Sequence, residues 1–218
     1  MFVKNRMSKD VICINENESI SKALDLMSLN DLHRLPVIND NKLVGLITRS
    51  IIASNTPSNA TSLSVFELNY LISKTSVKDI MIKDVITCSA EDLLEDVAVK
   101  MRKENVGCLP VVENDRVIGI ITHNDIFDAF IDLLGYYQNG YRFVIEVKED
   151  KEGVLKEIAS SFLQNNAFIT NLAVYHIDNE TEVVVIASGV SESVIVEDLE
   201  SKGFKVSSSV NNHSEGFS

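Results

Sequence analysis

A stretch of about fifty residues occurs twice in this chain, so any fold it adopts is built from two like halves. Val3-Lys4-Asn5-Arg6-Met7 reappears as Val77-Lys78-Asp79-Ile80-Met81, an offset of 74 (77 − 3). In that register Lys9-Asp10-Val11-Ile12 falls on Lys83-Asp84-Val85-Ile86, Met27 on Met101 and Leu35-Pro36-Val37 on Leu109-Pro110-Val111. Gly45 falls on Gly119, Thr48 on Thr122 and Ile52 on Ile126, with about fifteen of fifty positions identical and no gap. A repeat of this length marks one supersecondary unit used twice.

Each copy reads as strand, helix, two strands, helix. Val11 to Ile14 is a short β-branched run, and Ile20, Ala23, Leu24 and Met27 recur at helical spacing, as do Leu94, Val97, Ala98 and Met101. Leu35–Ile38 and Leu43–Thr48 flank a polar turn and predict a hairpin, repeated at Leu109–Val112 and Val117–Thr122. A second helix opens at Ser50 and again at Asn124. Ser54 to Ser62 is a polar loop, and Leu63, Phe66, Tyr70 and Leu71 suggest a helix leading into the second copy. The domain reading is 1–56 for the first copy, 57–76 for the connection and 77–134 for the second copy, with a linker at 135–140.

This pattern, with its L-P-V and G-x-x-T signatures appearing twice, resembles a tandem pair of CBS domains. The resemblance covers about residues 3–134 and implies a pseudo-two-fold module whose clefts take adenosine-containing nucleotides. The family's nucleotide signature, G-h-h-T/S-x-x-D, is matched in full by Gly119-Ile120-Ile121-Thr122-His123-Asn124-Asp125. A carboxylate accepts ribose hydroxyl protons, a threonine hydroxyl donates, and a helix N-terminus favours an anion. The resemblance therefore assigns ribose to Asp125 and the phosphate end to Thr122. It has Ile86 and Thr87, with the Gly107-Cys108-Leu109-Pro110 turn, frame the base.

The first copy departs from the signature. It reads Gly45-Leu46-Ile47-Thr48-Arg49-Ser50-Ile51, and isoleucine cannot accept those hydroxyl protons. That cleft is expected to be empty or to take ligand in another pose. Arg49 and His123 follow the two threonines, and His33 and Arg34 precede the first L-P-V. Together they suggest a cationic floor for phosphate, with a merely exposed Arg34 as the plain alternative. Cys13, Cys88 and Cys108 read as small buried hydrophobes, a redox role for Cys108 beside the cleft being the other reading. The histidines His33, His123, His176 and His213 have no metal-ligand spacing, so neither metal nor cofactor is expected.

Beyond the linker the pattern changes. Arg142–Lys148 alternates, with Phe143, Ile145 and Val147 on one side. An amphipathic helix follows through Val154, Leu155, Ile158, Phe162 and Leu163. Strands are expected at Phe168–Tyr175 and Glu182–Ala187, a helix at Val194–Lys202 closed by Gly203, and a short strand at Phe204–Val206. The order is βαββαβ, a ferredoxin-like unit, and the whole chain is of the α+β class. Residues 141–207 resemble an ACT domain through Gly153-Val154-Leu155 and Asn165-Asn166-Ala167-Phe168-Ile169. That resemblance implies effector contacts from Glu152, Gly153, Val154, Asn166 and Phe168, or a module that mainly dimerises. Glu152 stands where the family carries proline. Residues 208–218 read as a disordered polar tail.

CBS-CBS-ACT in so short a chain is similar to the bacterial acetoin utilisation protein family of standalone regulators. Net charge of −12 disfavours nucleic acid as a partner, and no run approaches the roughly 18 apolar residues that span a bilayer. Charge follows Met1 too soon for a signal peptide, and three cysteines are no disulfide framework, so a cytoplasmic protein is expected. No Walker loop, H-E-x-x-H or G-x-S-x-G motif is present, which argues against an enzyme. The expectation is a nucleotide-sensing homodimer acting on an unknown regulated protein. The alternative is a non-catalytic scaffold with decayed ligand sites.

Overall fold

The computed structural model describes residues 1–56, 70, 72–147, 152–177 and 180–212. The expected helix around 63–71, part of the polar loop before it, the turns at 149–151 and Asn179, and His213 lie wholly or largely outside these residues. The chain divides into two units, Met1–Ile126 and Phe127–Ser218.

In the first unit the repeat recurs at equal spacing, except that the first copy's short leading strand is matched in the second only by the isolated parallel bridge of Cys88 with Val111. The first copy comprises β1 (Ile14–Asn15), α1 (Ile20–Leu29), β2 (Arg34–Asn39), β3 (Lys42–Thr48) and α2 (Arg49–Asn55). After a short α3 (Val77–Ile80), the second copy comprises α4 (Leu94–Glu104), β4 (Cys108–Glu113), β5 (Arg116–Thr122) and α5 (His123–Leu133). The hairpins share even their irregularity: Arg34 pairs with Thr48 and Cys108 with Thr122, and the register shifts at Val37/Ile38 and at Val111/Val112. Both turns hold two consecutive residues at positive φ, Asp40-Asn41 and Asn114-Asp115. Asn and Asp tolerate that region, and such turns match strand twist.

The two copies exchange their N-terminal segments. Val3 N–H donates to Asp92 O (3.0 Å), and its equivalent Val77 donates to Glu18 O (2.8 Å). Ser8 and Ile120 exchange backbone bonds across the copies at 3.0 and 2.9 Å, as Ile82 and Leu46 do at 2.9 Å. Val77 accordingly sits in the first copy's core, among Ile14, Ile20, Ala23, Met27, Leu35, Val37, Ile47 and Ile52. Neither copy is complete without the other's first residues. This also corrects the strand expected at Val11–Ile14: only Ile14 and Asn15 pair with β2, at Val37 and Ile38. The residues before them carry the chain from its bridge on β5.

The second unit is a four-stranded antiparallel sheet in the order β7-β8-β6-β9, from β6 (Gly140–Val147), β7 (Phe168–Ile177), β8 (Glu180–Ser188) and β9 (Lys205–Asn212). Helices α6 (Val154–Gln164) and α7 (Glu192–Ser201) complete the βαββαβ order. Phe143, Ile145 and Val147 are buried in alternation and pack with Ile158, Phe162, Val183, Val185, Ile195 and Leu199. Lys202 joins the helices, donating to Ser161 Oγ (2.9 Å), Gln164 Oε1 (3.1 Å) and Asp198 Oδ2 (2.7 Å). Gly203, at φ 89°, ends α7 as expected.

Two boundaries move. Strand β9 runs to Asn212, pairing Val210 with Arg142 and Asn212 with Gly140. Residues 208–212 are therefore ladder and not tail, because their backbone donors and acceptors find β6 whatever their polar side chains suggest. The unit boundary also falls at 126, ahead of the expected linker. Asn171 Nδ2 donates to Leu133 O (2.8 Å) and Arg142 Nη2 to Leu134 O (2.9 Å), tying the end of α5 to the sheet.

Candidate functional site

The exchange of N-terminal segments opens a cleft in the first unit. A cavity of about 720 Å³ is lined by Ser8, Asp10, Val11 and Ile12 from the first copy's crossing segment, and by Asn30, Asp31, Leu32, His33, Arg34 and Pro36 from the end of α1 and the start of β2. The second copy supplies Gly107, Ile120, Thr122, His123 and Asn124. The matched signature thus meets the opposite copy's chain at one hollow.

The signature is locally self-consistent. Asp125 Oδ2 accepts from the Thr122 backbone N–H (2.7 Å) and from its hydroxyl (2.7 Å), while Asp125 N–H lies 3.4 Å from Thr122 Oγ1. This is capping-box logic, with the N-cap hydroxyl and the carboxylate three residues on satisfying the first turn of α5. It fixes the Thr122 side chain at the cavity wall. The second oxygen, Oδ1, has no hydrogen-bond partner among the described residues. In the first copy, Thr48 Oγ1 accepts from Ile51 N–H (3.2 Å) and pairs with Ser50 Oγ (2.9 Å). That turn is capped without any carboxylate.

Arg34 reaches across to the second copy. A Cβ built on Gly107 would stand 2.9 Å from Arg34 Nη1, so glycine there is what lets the guanidinium lie flat against the turn. The Arg34 guanidinium beside the Cys108 thiol favours its ionised form, yet burial outweighs that and raises the thiol above its usual range. Burial likewise pushes Cys88 up to about 11 and Cys13 upward. All three thiols are protonated near neutrality, where the nucleophilic thiolate is scarce. As pH rises from 9.0 toward 11 the unfolded chain ionises Cys88 and the folded chain does not, so this thiol's contribution to stability is lost across that window.

The structure redistributes the residues expected at the site. His33, Arg34, Gly107, Thr122 and His123 line the cavity together, with Asp125 behind Thr122. Ile86 and Thr87 do not line it. Their place is taken by Val11 and Ile12, because the crossing chain and not the adjacent one meets β5. Thr87 borders a smaller hollow of about 180 Å³ with Leu43, Val44, Lys83, Val85, Val112 and Asp115. Cys108 and Pro110 do not line it; Pro36, the equivalent of Pro110, does, although both prolines are buried. Thr48 and Arg49 also lie off the cavity. Arg49 Nε donates to Leu32 O (3.0 Å) and its backbone N–H to His33 O (3.0 Å), the latter matched by His123 N–H on Gly107 O (3.3 Å). Of the residues expected to form a cationic floor, Arg34, His33 and His123 line the cavity and Arg49 does not. Ser8, Asp10 and Asp31 also line the cavity and were not among the expected residues; Asp10 lay in the doubled K-D-V-I, and nothing in the sequence pointed to Asp31.

In the second unit the expected effector residues are not gathered. Gly153 begins α6 at φ 97° with Val154 buried behind it and Glu152 exposed. Asn166 (φ 57°) and Phe168, which is 69% exposed, lie past the other end of that helix, about 16 Å away at 1.5 Å per residue. Among the described residues no group of three or more His, Cys, Asp or Glu is arranged to hold a metal, and no helix is long and apolar enough to cross a membrane.

The family model for the CBS domain matches residues 3–55 and 77–132. A CBS domain-containing protein of Dictyostelium discoideum is 34% identical over 142 residues, 62% of this chain and 94% of its own length. Homoserine O-acetyltransferase of Methanococcus vannielii is 39% identical over 127 residues, 57% of this chain. The match spans only about a quarter of the first curated relatives, 24% of that enzyme. Of solved structures, a Vibrio cholerae protein named for acetoin utilization is 26% identical at a TM-score of 0.52, covering 62% of this chain and 93% of that one. A Methanocaldococcus jannaschii protein offered as an archaeal homologue of γ-AMPK is 29% identical at a TM-score of 0.52, covering 59% and 47%.

Proposed function

Because the chain belongs to the CBS domain family, with copies at 3–55 and 77–132, we propose that it is a non-catalytic regulator that senses an adenosine-containing nucleotide in the cleft of its first unit. The observation that carries this reading is the meeting of Thr122 and His123, at the start of α5, with the crossing segment Ser8–Ile12 around one cavity. A nucleotide there donates ribose hydroxyls to the open Oδ1 of Asp125, places its base against Val11, Ile12 and Pro36, and turns its phosphate toward Arg34. Ligand that prefers one placement of the two copies shifts the population toward it, and that shift is the signal to a regulated partner.

Residues 140–212 act in this reading as an ACT-type module for self-association. Its edge strand β7 leaves ladder groups unpaired and exposes Phe168, Leu172 and Ile177, an arrangement suited to pairing with a second copy. A homodimer follows, at twice the chain mass by light scattering. Equilibrium binding of AMP, ADP, ATP, NAD and cyclic di-AMP tests the sensor. Wild type binds at least one and Asp125→Ala binds it more weakly; no binding of any of them by wild type sinks the proposal. The competing scaffold reading is favoured by one feature, Ile51 in place of the first copy's carboxylate. It predicts partner capture that nucleotide leaves unchanged.

A further inference from the structure

The charges around the cleft narrow the ligand further. Resting on the nucleotide reading above, we infer that the cleft selects an adenosine ligand bearing no more than one phosphate and discriminates against the di- and triphosphates. Among the described residues two carboxylates line the cavity, Asp10 and Asp31, against one guanidinium, Arg34; the other titratable groups lining it are the imidazoles of His33 and His123, and the Asp125 carboxylate lies behind Thr122 as a further negative charge. Lys9, beside Asp10, and Arg49, beside His33 through its backbone bond, are not among the lining residues.

Each charge is held where it is by the fold. Asp31 follows the end of α1 in the left-handed region (φ 51°), a position locked by the Leu32 N–H bond to Met27 O (2.8 Å). Asp10 rides on the segment that the Ser8–Ile120 bridge fastens to β5. Arg34 extends over Gly107, beside the Cys108 thiol. One planar guanidinium matches one phosphate through two parallel N–H···O bonds. A second and third phosphate bring further negative charge into a hollow that already holds two carboxylates, inside a protein of net charge −12. The arrangement cannot offset it.

Titration calorimetry of the full chain with adenosine, AMP, ADP and ATP, at pH 8 and 0.15 M salt, tests this. AMP binds at least as tightly as adenosine, and each added phosphate weakens binding by about three- to tenfold, the scale of a partly screened unit charge nearby. Asp31→Asn keeps a side chain at home in the left-handed region and removes one negative charge. It raises the affinity for ATP relative to that for adenosine, both measured on the same variant, by a similar factor; Asp10→Asn does the same from the other wall. ATP binding as tightly as AMP, or an ATP affinity indifferent to both substitutions, overturns the inference while leaving the nucleotide reading intact. Failure of all four ligands to bind defeats both.

Discussion

A methyl group placed on Gly107 would stand 2.9 Å from Arg34 Nη1, closer than carbon and nitrogen approach without a shift. What it meets is the far end of a flexible side chain, so the backbone has no need to move and the guanidinium swings away. Gly107→Ala is thus expected to change stability by less than about 1 kcal/mol. Its AMP affinity should fall about tenfold, the scale of one charge-assisted hydrogen bond. Arg34→Ala should show the same loss, and adding Gly107→Ala to it should cost nothing more. Calorimetric affinities for the four proteins check this; additive losses would mean that Gly107 acts on the ligand by another route. Arg34 also shows where residue type stops being informative. The sequence favoured Arg49 over Arg34 for phosphate contact because Arg49 aligns with His123 beside the intact signature; the structure places Arg34 at the cavity over Gly107 and turns Arg49 Nε to Leu32 O.

The exchange of N-terminal segments rests on two methionine–glycine contacts, one for each copy. A Cβ on Gly119 would fall 2.6 Å from Met7 Sδ and 3.1 Å from Ser8 O; one on Gly45 would crowd Met81 Sδ and lie 3.0 Å from Ile82 O. Glycine at these positions lets the crossing chain close onto the strand. Gly119→Ala should therefore destabilise the protein by about 1–3 kcal/mol through overpacking. Part of this loss should return in Met7→Ala/Gly119→Ala, because the sulfur is then gone and only the Ser8 carbonyl remains close. Urea unfolding of the wild type, both single variants and the double variant measures that coupling; strictly additive losses would place Met7 away from Gly119 in solution. The same contacts mark how far the sequence could be read. The helix and hairpin of each copy were legible because their pattern is local: the L-P-V strand, the polar turn, the helical spacing of Ile20, Ala23 and Met27. The exchange was not, since hydrophobic periodicity says which face a residue prefers and nothing about which copy supplies the neighbour. Ile86 and Thr87 were accordingly assigned to a cleft that Val11 and Ile12 line.

At the scale of the molecule, each unit buries a core of its own: the first unit's includes Val77 beside Leu35 and Ile47, the second unit's centres on Phe143 and Phe162, whose rings meet at 5.3 Å. The described residues lining the large cleft all belong to the first unit, between Ser8 and Asn124. Ligand binding therefore enters the free-energy balance of the first unit, where it adds about 2.7 kcal/mol at a concentration one hundred times Kd. Amide exchange reads where that stabilisation is felt. Saturating AMP should slow exchange most at residues 8–12, 30–34 and 120–125, where the chain closes on the ligand. The effect should continue along α5, because that helix starts at the cleft and its intrahelical bonds couple each turn to the next. The central strands of the second unit, β6 and β8, should exchange at their ligand-free rates. Protection concentrated in β6–β9, with the crossing segment unchanged, would move the nucleotide site into the second unit and leave the first as its scaffold.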